Sequence, residues 1–183
     1  CDVVFLPSVE EVYGQSVVGS GQSAVLFQKD LPGFELGSLG AVMEGKFRPG
    51  HFEGMAVVVN RLFNIVRPDK AYFGKKDYQQ LAIVKKMSVF RHQISDKRKV
   101  EIISCDTVRE SNGLAMSSRN RRLGEEDRRK ASLISSVLYW TKMNSGALTT
   151  QELKAGAIQQ LKSEKAFELE YFEIADRETL LPM

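Results

Sequence analysis

Residues 73–81 place a glycine, two lysines and an aspartate where an apolar run meets a helical pattern. The run 71–73 predicts a short strand, and the spacing of apolar residues after it predicts one buried face of a helix. Asp77 is a favourable N-cap for that helix. The first turn of a helix presents unpaired amide N–H groups and a partial positive charge, so it attracts anions. With Lys75 and Lys76 beside it, this junction is suited to binding phosphate.

A second polar segment, 109–120, carries two serines and an arginine after a predicted turn at Asn112-Gly113. Hydroxyl and guanidinium groups suit a triphosphate, because they offer several hydrogen-bond donors and one fixed fork of positive charge. Each segment alone has an ordinary structural explanation, since strand–glycine–helix joints, solvated lysines and polar loops are all common. Together, in one α/β chain, the two segments indicate a nucleotide site.

The elements that must position these segments alternate between helix and strand. Apolar spacing and turn residues predict helices over 52–66 and 77–90 and strands over 71–73 and 100–103. This order predicts a parallel sheet with right-handed crossovers. Ligands of such sheets bind beyond the carboxyl ends of the strands, which is the position that Gly74 occupies.

The N-terminal region gives a weaker pattern. The continuous apolar run Val3 to Leu6 predicts a buried parallel strand, and its position suggests that the chain begins inside a fold. Residues 14–40 are rich in glycine and serine, which predicts turns, and an alternating piece over 24–27 predicts a short edge strand.

After Cys105 the pattern changes. Helices are predicted over 125–143 and 150–162, the second opened by the capping-box sequence Thr149 to Glu152. An alternating strand is predicted over 167–171. We therefore expect a second, smaller α+β domain that joins the first near Asp106.

Composition limits the class of protein. A chain of 183 residues with 43% hydrophobic content can bury a core. It lacks both an apolar stretch of the roughly 20 residues that cross a bilayer and a secretion signal, so we expect a soluble protein without a membrane partner. Its two cysteines, Cys1 and Cys105, are expected to be free thiols, which favours the cytoplasm. Its basic clusters interleave with acidic residues, so we expect no nucleic-acid partner.

Four spaced motifs resemble the pantoate–β-alanine ligase family of the nucleotidyltransferase superfamily: Glu44-Gly45 with Arg48 to Phe52, Asn64 to Asp69, Phe73 to Leu81, and Gly113 to Asn120. The resemblance implies that residues 1–105 are the C-terminal part of a Rossmann-like nucleotide-binding domain and that 106–183 are an incomplete small α+β domain. The family's His-x-Gly-His motif is absent from this sequence. We therefore expect the chain to be a segment of a longer enzyme, inactive when isolated.

The resemblance also implies roles for individual residues. Lys76, Ser117 and Arg119 would be catalytic, and Gln80 would bind pantoate. His51 would either border the pocket or support the turn before it, and we favour support. Mg²⁺ would accompany ATP without a metal ligand from this chain. Lys75 stands where many relatives carry glutamate. The complete set of residues expected to bind ATP is Gly74, Lys75, Lys76, Asp77, Val108, Met116, Ser117, Ser118 and Arg119.

The activity implied by the resemblance is the ATP-dependent condensation of (R)-pantoate with β-alanine. It proceeds through a pantoyl adenylate and yields pantothenate, AMP and pyrophosphate. A homodimer is expected, for which the stripe of helix 52–66 would supply a surface, although the same stripe is equally explained as core. Two alternatives remain at this stage: another adenylate-forming nucleotidyltransferase, against which the pair Gln79-Gln80 argues weakly, and a folded, dimerising domain without activity.

Overall fold

The computed structural model describes residues 2–13, 23–94 and 99–183. The chain divides into two compact units, Cys1–Cys105 (the first unit) and Asp106–Met183 (the second unit). The first unit contains α1 (Val9–Tyr13), α2 (Ser23–Asp30), α3 (Ser38–Ala41), α4 (Glu44–Phe47), α5 (His51–Val66), β1 (Lys70–Gly74), α6 (Tyr78–Ile94) and β2 (Glu101–Cys105). The second contains α7 (Glu125–Asn144) and α8 (Thr150–Ser163).

The sheet of the first unit is the parallel pair β1 and β2. Lys70 lies opposite Glu101, and Gly74 lies opposite Cys105. Parallel strands need a crossover connection, and α6 supplies it, which confirms the predicted strand–helix–strand order. The carboxyl ends of both strands therefore lie side by side, and the lysine turn follows directly from one of them.

Helix α5 provides much of the core of the first unit. It packs against α2 and α6, which contribute buried residues of their own. Burying a large aliphatic or aromatic side chain stabilises a fold by about 1.5–3 kcal/mol. The apolar stripe of this helix is therefore core, one of the two explanations that the sequence allowed. Its buried residues are Phe52, Ala56, Val57, Val59, Asn60 and Phe63.

Two arginines fix neighbouring helices to α5. Arg91 of α6 donates to the carbonyl oxygen of Asn60 and to Oδ1 of Asn64, both at 3.0 Å. Burial lowers the pKa of the Arg91 guanidinium. Arg61 of α5 forms an ion pair with Asp30 at the end of α2. These contacts set the positions of α2 and α6 around the core helix.

The prediction of a buried strand over Val3 to Leu6 is wrong. These residues lie outside the sheet, and the side chains of Val3 and Leu6 are 81% and 89% exposed. A parallel strand is stable only where a neighbour satisfies its backbone groups, and in the described part of the chain the ladder joins β1 to β2. Val3 to Leu6 take no part in this ladder, so the apolar run is not a strand.

The predicted edge strand over 24–27 is also wrong, because these residues belong to α2. Phe27 and Leu31 are buried, whereas Val25 is 70% exposed. A strand would place Val25 and Phe27 on the same face, and a helix does not. Residues 14–22 of the predicted turn region lie outside the described residues.

The second unit is built on the packing of α7 against α8. Val137, Ala157 and Leu161 form its buried centre. The predicted capping box opens α8 and is confirmed: Thr149 Oγ1 accepts the amide of Glu152 at 3.3 Å, and Glu152 Oε2 accepts the amide of Thr149 at 2.8 Å. The backbone amide of Thr149, and after it the Thr149 hydroxyl group, donate to the Glu152 carboxyl group and lower its pKa.

The strand predicted over 167–171 is not formed. The alternation has a different cause, since Phe167 and Leu169 pack against the helical core while Glu168 and Glu170 are exposed. Within the described residues of this unit, the β pairing is limited to the isolated bridges Arg109–Ala115 and Ala175–Pro182. Packing on α7 and α8 thus produces alternating burial of side chains without a ladder of backbone hydrogen bonds.

The structure also bears on membrane association. Across residues 2–13, 23–94 and 99–183, every helix is too short or too polar to span a bilayer.

Candidate functional site

The helical segment after β1 begins at Lys75, two residues earlier than the sequence predicts, and the prediction of Asp77 as its N-cap is wrong. A 3-10 helix, Lys75–Asp77, runs directly into α6, so the helical segment starts after Gly74 and Asp77 lies inside it. Lys76 Nζ is 3.4 Å from Asp77 Oδ1, and the Lys76 side chain is 40% exposed. Both lysine side chains therefore lie in solvent at the positive end of a helical segment, beside the carboxyl ends of two parallel strands.

Gly74 is not required by the local fold. Its φ of −74° is open to every residue type, and a Cβ built on it would meet nothing within 4 Å. The missing side chain leaves open space immediately before Lys75 and Lys76. A requirement for glycine at this position would therefore come from a ligand that approaches the backbone.

The two glutamines at the start of α6 have different environments. Gln79 is buried, and its Nε2 donates to the carbonyl oxygens of Leu39 at 2.7 Å and Val42 at 2.8 Å. Its Oε1 accepts the amide of Glu44 at 3.2 Å. Gln79 is therefore a structural residue, whereas Gln80, in the same helical turn, is half-buried.

The helical spacing of the sequence could have distinguished the two glutamines, although their residue type could not. Gln79 lies four residues before Ile83, which is fully buried, so it falls on the core face of α6. A polar residue on such a face must find buried partners, and the carbonyls of the 39–44 turn provide them.

Gln79 also holds a strained turn. Met43 has a φ of 47°, a conformation that residues with a side chain rarely adopt and that costs on the order of 1–3 kcal/mol. Gln79 binds the carbonyl of Val42 and the amide of Glu44, which are the backbone groups on either side of Met43. The first turn of α6 and the 39–44 turn are thereby fixed to each other.

His51 is the first residue of α5. Its amide donates to the carbonyl oxygen of Arg48 at 3.1 Å, and its ring centroid lies 5.0 Å from that of Phe52. These contacts fit a residue that supports the turn before α5.

In the second unit, a narrow hairpin over residues 108–116 leads into the serine–arginine segment. The amide of Met116 donates to the carbonyl oxygen of Val108 at 2.9 Å, and Arg109 forms an antiparallel bridge with Ala115. The structure thus brings together Val108 and Met116, both expected to bind ATP. Both of these side chains are exposed.

Ser117 opens a 3-10 helix, Ser118–Arg122. Its Oγ accepts the amide of Arg119 at 3.2 Å, the contact that a capping serine makes with the first turn of a helix. The side chains of Ser118 and Arg119 are exposed. Hydroxyl, amide and guanidinium donors are consequently available over four consecutive residues, and the next residue, Asn120, bonds back to Ala115.

The acidic residues do not form a metal cage. Among the residues for which coordinates are described, no three His, Cys, Asp or Glu side chains are grouped so that they could hold a metal ion. The chain itself supplies cationic and hydrogen-bonding side chains.

Comparison with known proteins assigns these segments to one family. The chain matches the model of the pantoate-beta-alanine ligase family over residues 1–183. It is 41% identical to a pantothenate synthetase from Flavobacterium psychrophilum over 179 residues, which are 98% of this chain and 57% of the relative.

Solved structures agree with this assignment. The crystal structure of pantothenate synthetase from Thermus thermophilus matches with a TM-score of 0.80 and 39% identity, over 97% of this chain and 58% of that one. A pantoate-beta-alanine ligase from Francisella tularensis, complexed with beta-gamma ATP and beta-alanine, matches with a TM-score of 0.53 and 33% identity, over 67% of this chain and 44% of that one. These matches confirm the predicted α/β fold of nucleotidyltransferase type. The chain spans little more than half the length of the Flavobacterium and Thermus proteins.

Proposed function

Because this chain belongs to the pantoate–β-alanine ligase family, we propose that the gene product containing it joins pantoate to β-alanine with cleavage of ATP to AMP and pyrophosphate. The observation that carries the proposal is the match of all 183 residues to this one family. Two segments support it: the lysine turn at the carboxyl end of β1 and the serine–arginine segment. Both offer an anion positive side chains and hydrogen-bond donors. The related ligase that was crystallised with beta-gamma ATP and beta-alanine supports the same substrates.

The first step transfers an adenylyl group. An oxygen of the pantoate carboxylate attacks the α-phosphorus of ATP, the bond from that phosphorus to the bridging oxygen breaks, and pyrophosphate leaves. Charge on the phosphate oxygens must be neutralised as the bond breaks, and nucleotidyl transfer demands little else of the protein. We assign this neutralisation to Lys76 and Arg119, and we assign hydrogen bonding of the phosphates to Ser117.

We propose that the remaining predicted residues also bind the nucleotide. We propose that Gly74, Lys75 and Asp77 line the phosphate end in the first unit and that Met116 and Ser118 do so in the second. Val108 would contact adenine through its backbone.

The second step forms the amide. The amine of β-alanine attacks the acyl carbon of pantoyl adenylate, AMP leaves with the electrons of the acyl–oxygen bond, and the nitrogen loses a proton to solvent. We assign the orientation of pantoate in both steps to Gln80. We further propose that Mg²⁺ accompanies ATP, that the complete protein is a homodimer, and that it works in the cytoplasm, where the exposed thiol of Cys105 stays reduced.

The proposal is tested on the complete gene product with purified substrates. We expect exchange of labelled pyrophosphate into ATP that requires pantoate but not β-alanine, and formation of AMP and pantothenate when both are present. Exchange that proceeds equally well without pantoate would contradict the assigned substrate and would favour another adenylate-forming activity.

Replacing Gln80 with alanine is expected to raise the KM for pantoate by about 10-fold or more, because a hydrogen bond to a substrate group is lost. The KM for ATP should change little. Steady-state kinetics with each substrate varied in turn measure the difference. A selective loss of ATP affinity would contradict the assigned role.

The neighbouring glutamine is the matched control for this variant. Gln79→Ala removes the partners of three backbone groups, so it should lower the free energy of unfolding by about 2–4 kcal/mol, whereas Gln80→Ala should leave it nearly unchanged. Urea denaturation of both variants gives the comparison.

Replacing Gly74 with alanine is expected to leave stability within about 0.5 kcal/mol of the parent, since the added Cβ meets open space. The affinity for ATP should nevertheless fall by about 10-fold or more if phosphate approaches the backbone at this point. Gly146→Ala is the control, because a Cβ there also meets nothing within 4 Å. Equal ATP titrations for the two variants would remove Gly74 from the site.

A further inference from the structure

Asn120 connects the two ends of the serine–arginine segment. Its Nδ2 donates to the carbonyl oxygen of Ala115 at 3.0 Å, and its amide donates to the carbonyl oxygen of Ser117 at 3.1 Å. Ala115 and Asn120 directly flank Met116 to Arg119, so a single side-chain amide closes this segment into a ring. The four residues between them, Met116 to Arg119, all belong to the set assigned to the nucleotide.

The ring is anchored on both sides. Nδ2 of Asn120 also donates to Oε1 of Glu110 at 2.8 Å, a short bond to a charged acceptor on the opposite arm of the hairpin. The carbonyl oxygen of Asn120 accepts from Arg128 of α7 at 3.1 Å. The segment is therefore tied to the hairpin through Glu110 and to the long helix through Arg128.

We propose that Asn120 is a positioning residue for the proposed reaction, which sets the backbone of Met116 to Arg119 before ATP arrives. The inference rests on the proposed function and adds to it a residue that touches none of the substrates. Ordering four residues, three of them exposed, during binding would cost conformational entropy, and a segment closed in advance avoids that cost. Ser117 and Arg119 then meet the phosphates in a fixed arrangement, and small misplacements of such groups reduce rates by about 100-fold.

Asn120→Ala tests the role in catalysis. In the complete gene product we expect kcat/KM for ATP in adenylate formation to fall by about 10–100-fold. The second half-reaction, started from pantoyl adenylate and β-alanine, should keep its rate, because no triphosphate is bound in that step. Equal losses in both half-reactions would show that Asn120 only maintains the fold and would overturn the proposal.

Asn112→Ala is the matched control, because this asparagine lies in the hairpin that precedes the ring and its side chain accepts from the amide of Leu114, outside the ring. It should leave the ratio of the two half-reactions unchanged. Glu110→Gln keeps an acceptor for Asn120 and should lose less of the first half-reaction than Glu110→Ala. If the two Glu110 variants lose equal activity, the bond from Asn120 does not matter and the proposal fails.

A measurement without substrates separates this inference from the function on which it rests. Amide hydrogen exchange at Arg119 and Asn120, whose amides bond Ser117, should be faster in Asn120→Ala than in the parent, by about 10-fold or more, and unchanged in Asn112→Ala. Unchanged exchange at both amides would overturn the inference even in an active enzyme. Faster exchange in a protein without pantoate-dependent activity would instead show that the proposed function is wrong.

Discussion

Replacing Lys76 with alanine is expected to slow the formation of pantoyl adenylate by about 100–1,000-fold, the usual effect of removing one cation that stabilises developing charge. Stability should change by less than about 1 kcal/mol, because the side chain is 40% exposed and its ion pair with Asp77 spans 3.4 Å at the surface. Function and folding therefore respond separately to this one substitution.

The opposite end of the same strand provides the control for Lys76. Lys70 is also exposed and also pairs with a carboxylate, Glu101, at 3.7 Å, but it lies at the amino end of β1. Lys70→Ala should leave adenylate formation close to that of the parent. Single-turnover formation of pyrophosphate measures both variants, and urea denaturation measures their stability. Similar losses of activity in the two variants, or a loss of folding in Lys76→Ala, would contradict the catalytic assignment.

The position of the turn that carries Lys75 and Lys76 could be predicted from the sequence. A helix of 16 residues, a short strand and a helix of 17 residues follow one another, and their long apolar periodicities leave little choice of type. The residue that follows the strand then has to lie at the carboxyl edge of a parallel sheet. Short segments lack this redundancy, which is why the strands predicted over Val3 to Leu6 and 24–27 are wrong.

Contacts distant in sequence explain most of what could not be predicted. The role of Gln79 depends on Leu39 and Val42, which precede it by 40 and 37 residues, and nothing near Gln79 in the sequence points to them. The alternation of 167–171 records packing on a pair of helices, although the same pattern is typical of a strand. Periodicity shows which side chains are buried, but the backbone partners have to come from the structure.

Replacing Gly45 with alanine is expected to destabilise the first unit by about 3 kcal/mol, a large part of the roughly 5–15 kcal/mol that stabilises a typical domain. Gly45 is buried, and a Cβ on it would lie 2.2 Å from the carbonyl oxygen and 2.7 Å from the carbonyl carbon of Gly40. Both atoms belong to the backbone, so no side-chain rotation relieves the clash. Gly146→Ala, which adds the same methyl group in open space, is again the control in urea denaturation.

The clash at Gly45 should also weaken the binding of pantoate. The residue before it, Glu44, donates its amide to Gln79, and Gln79 fixes the turn of α6 that carries Gln80. A displaced 39–45 backbone would therefore move the residue assigned to pantoate, and KM for pantoate should rise in Gly45→Ala under conditions where the protein is still folded. The strained turn at Met43 is connected to α6 by hydrogen bonds to Gln79. If Gly45→Ala loses stability but keeps the KM for pantoate, this turn does not position Gln80.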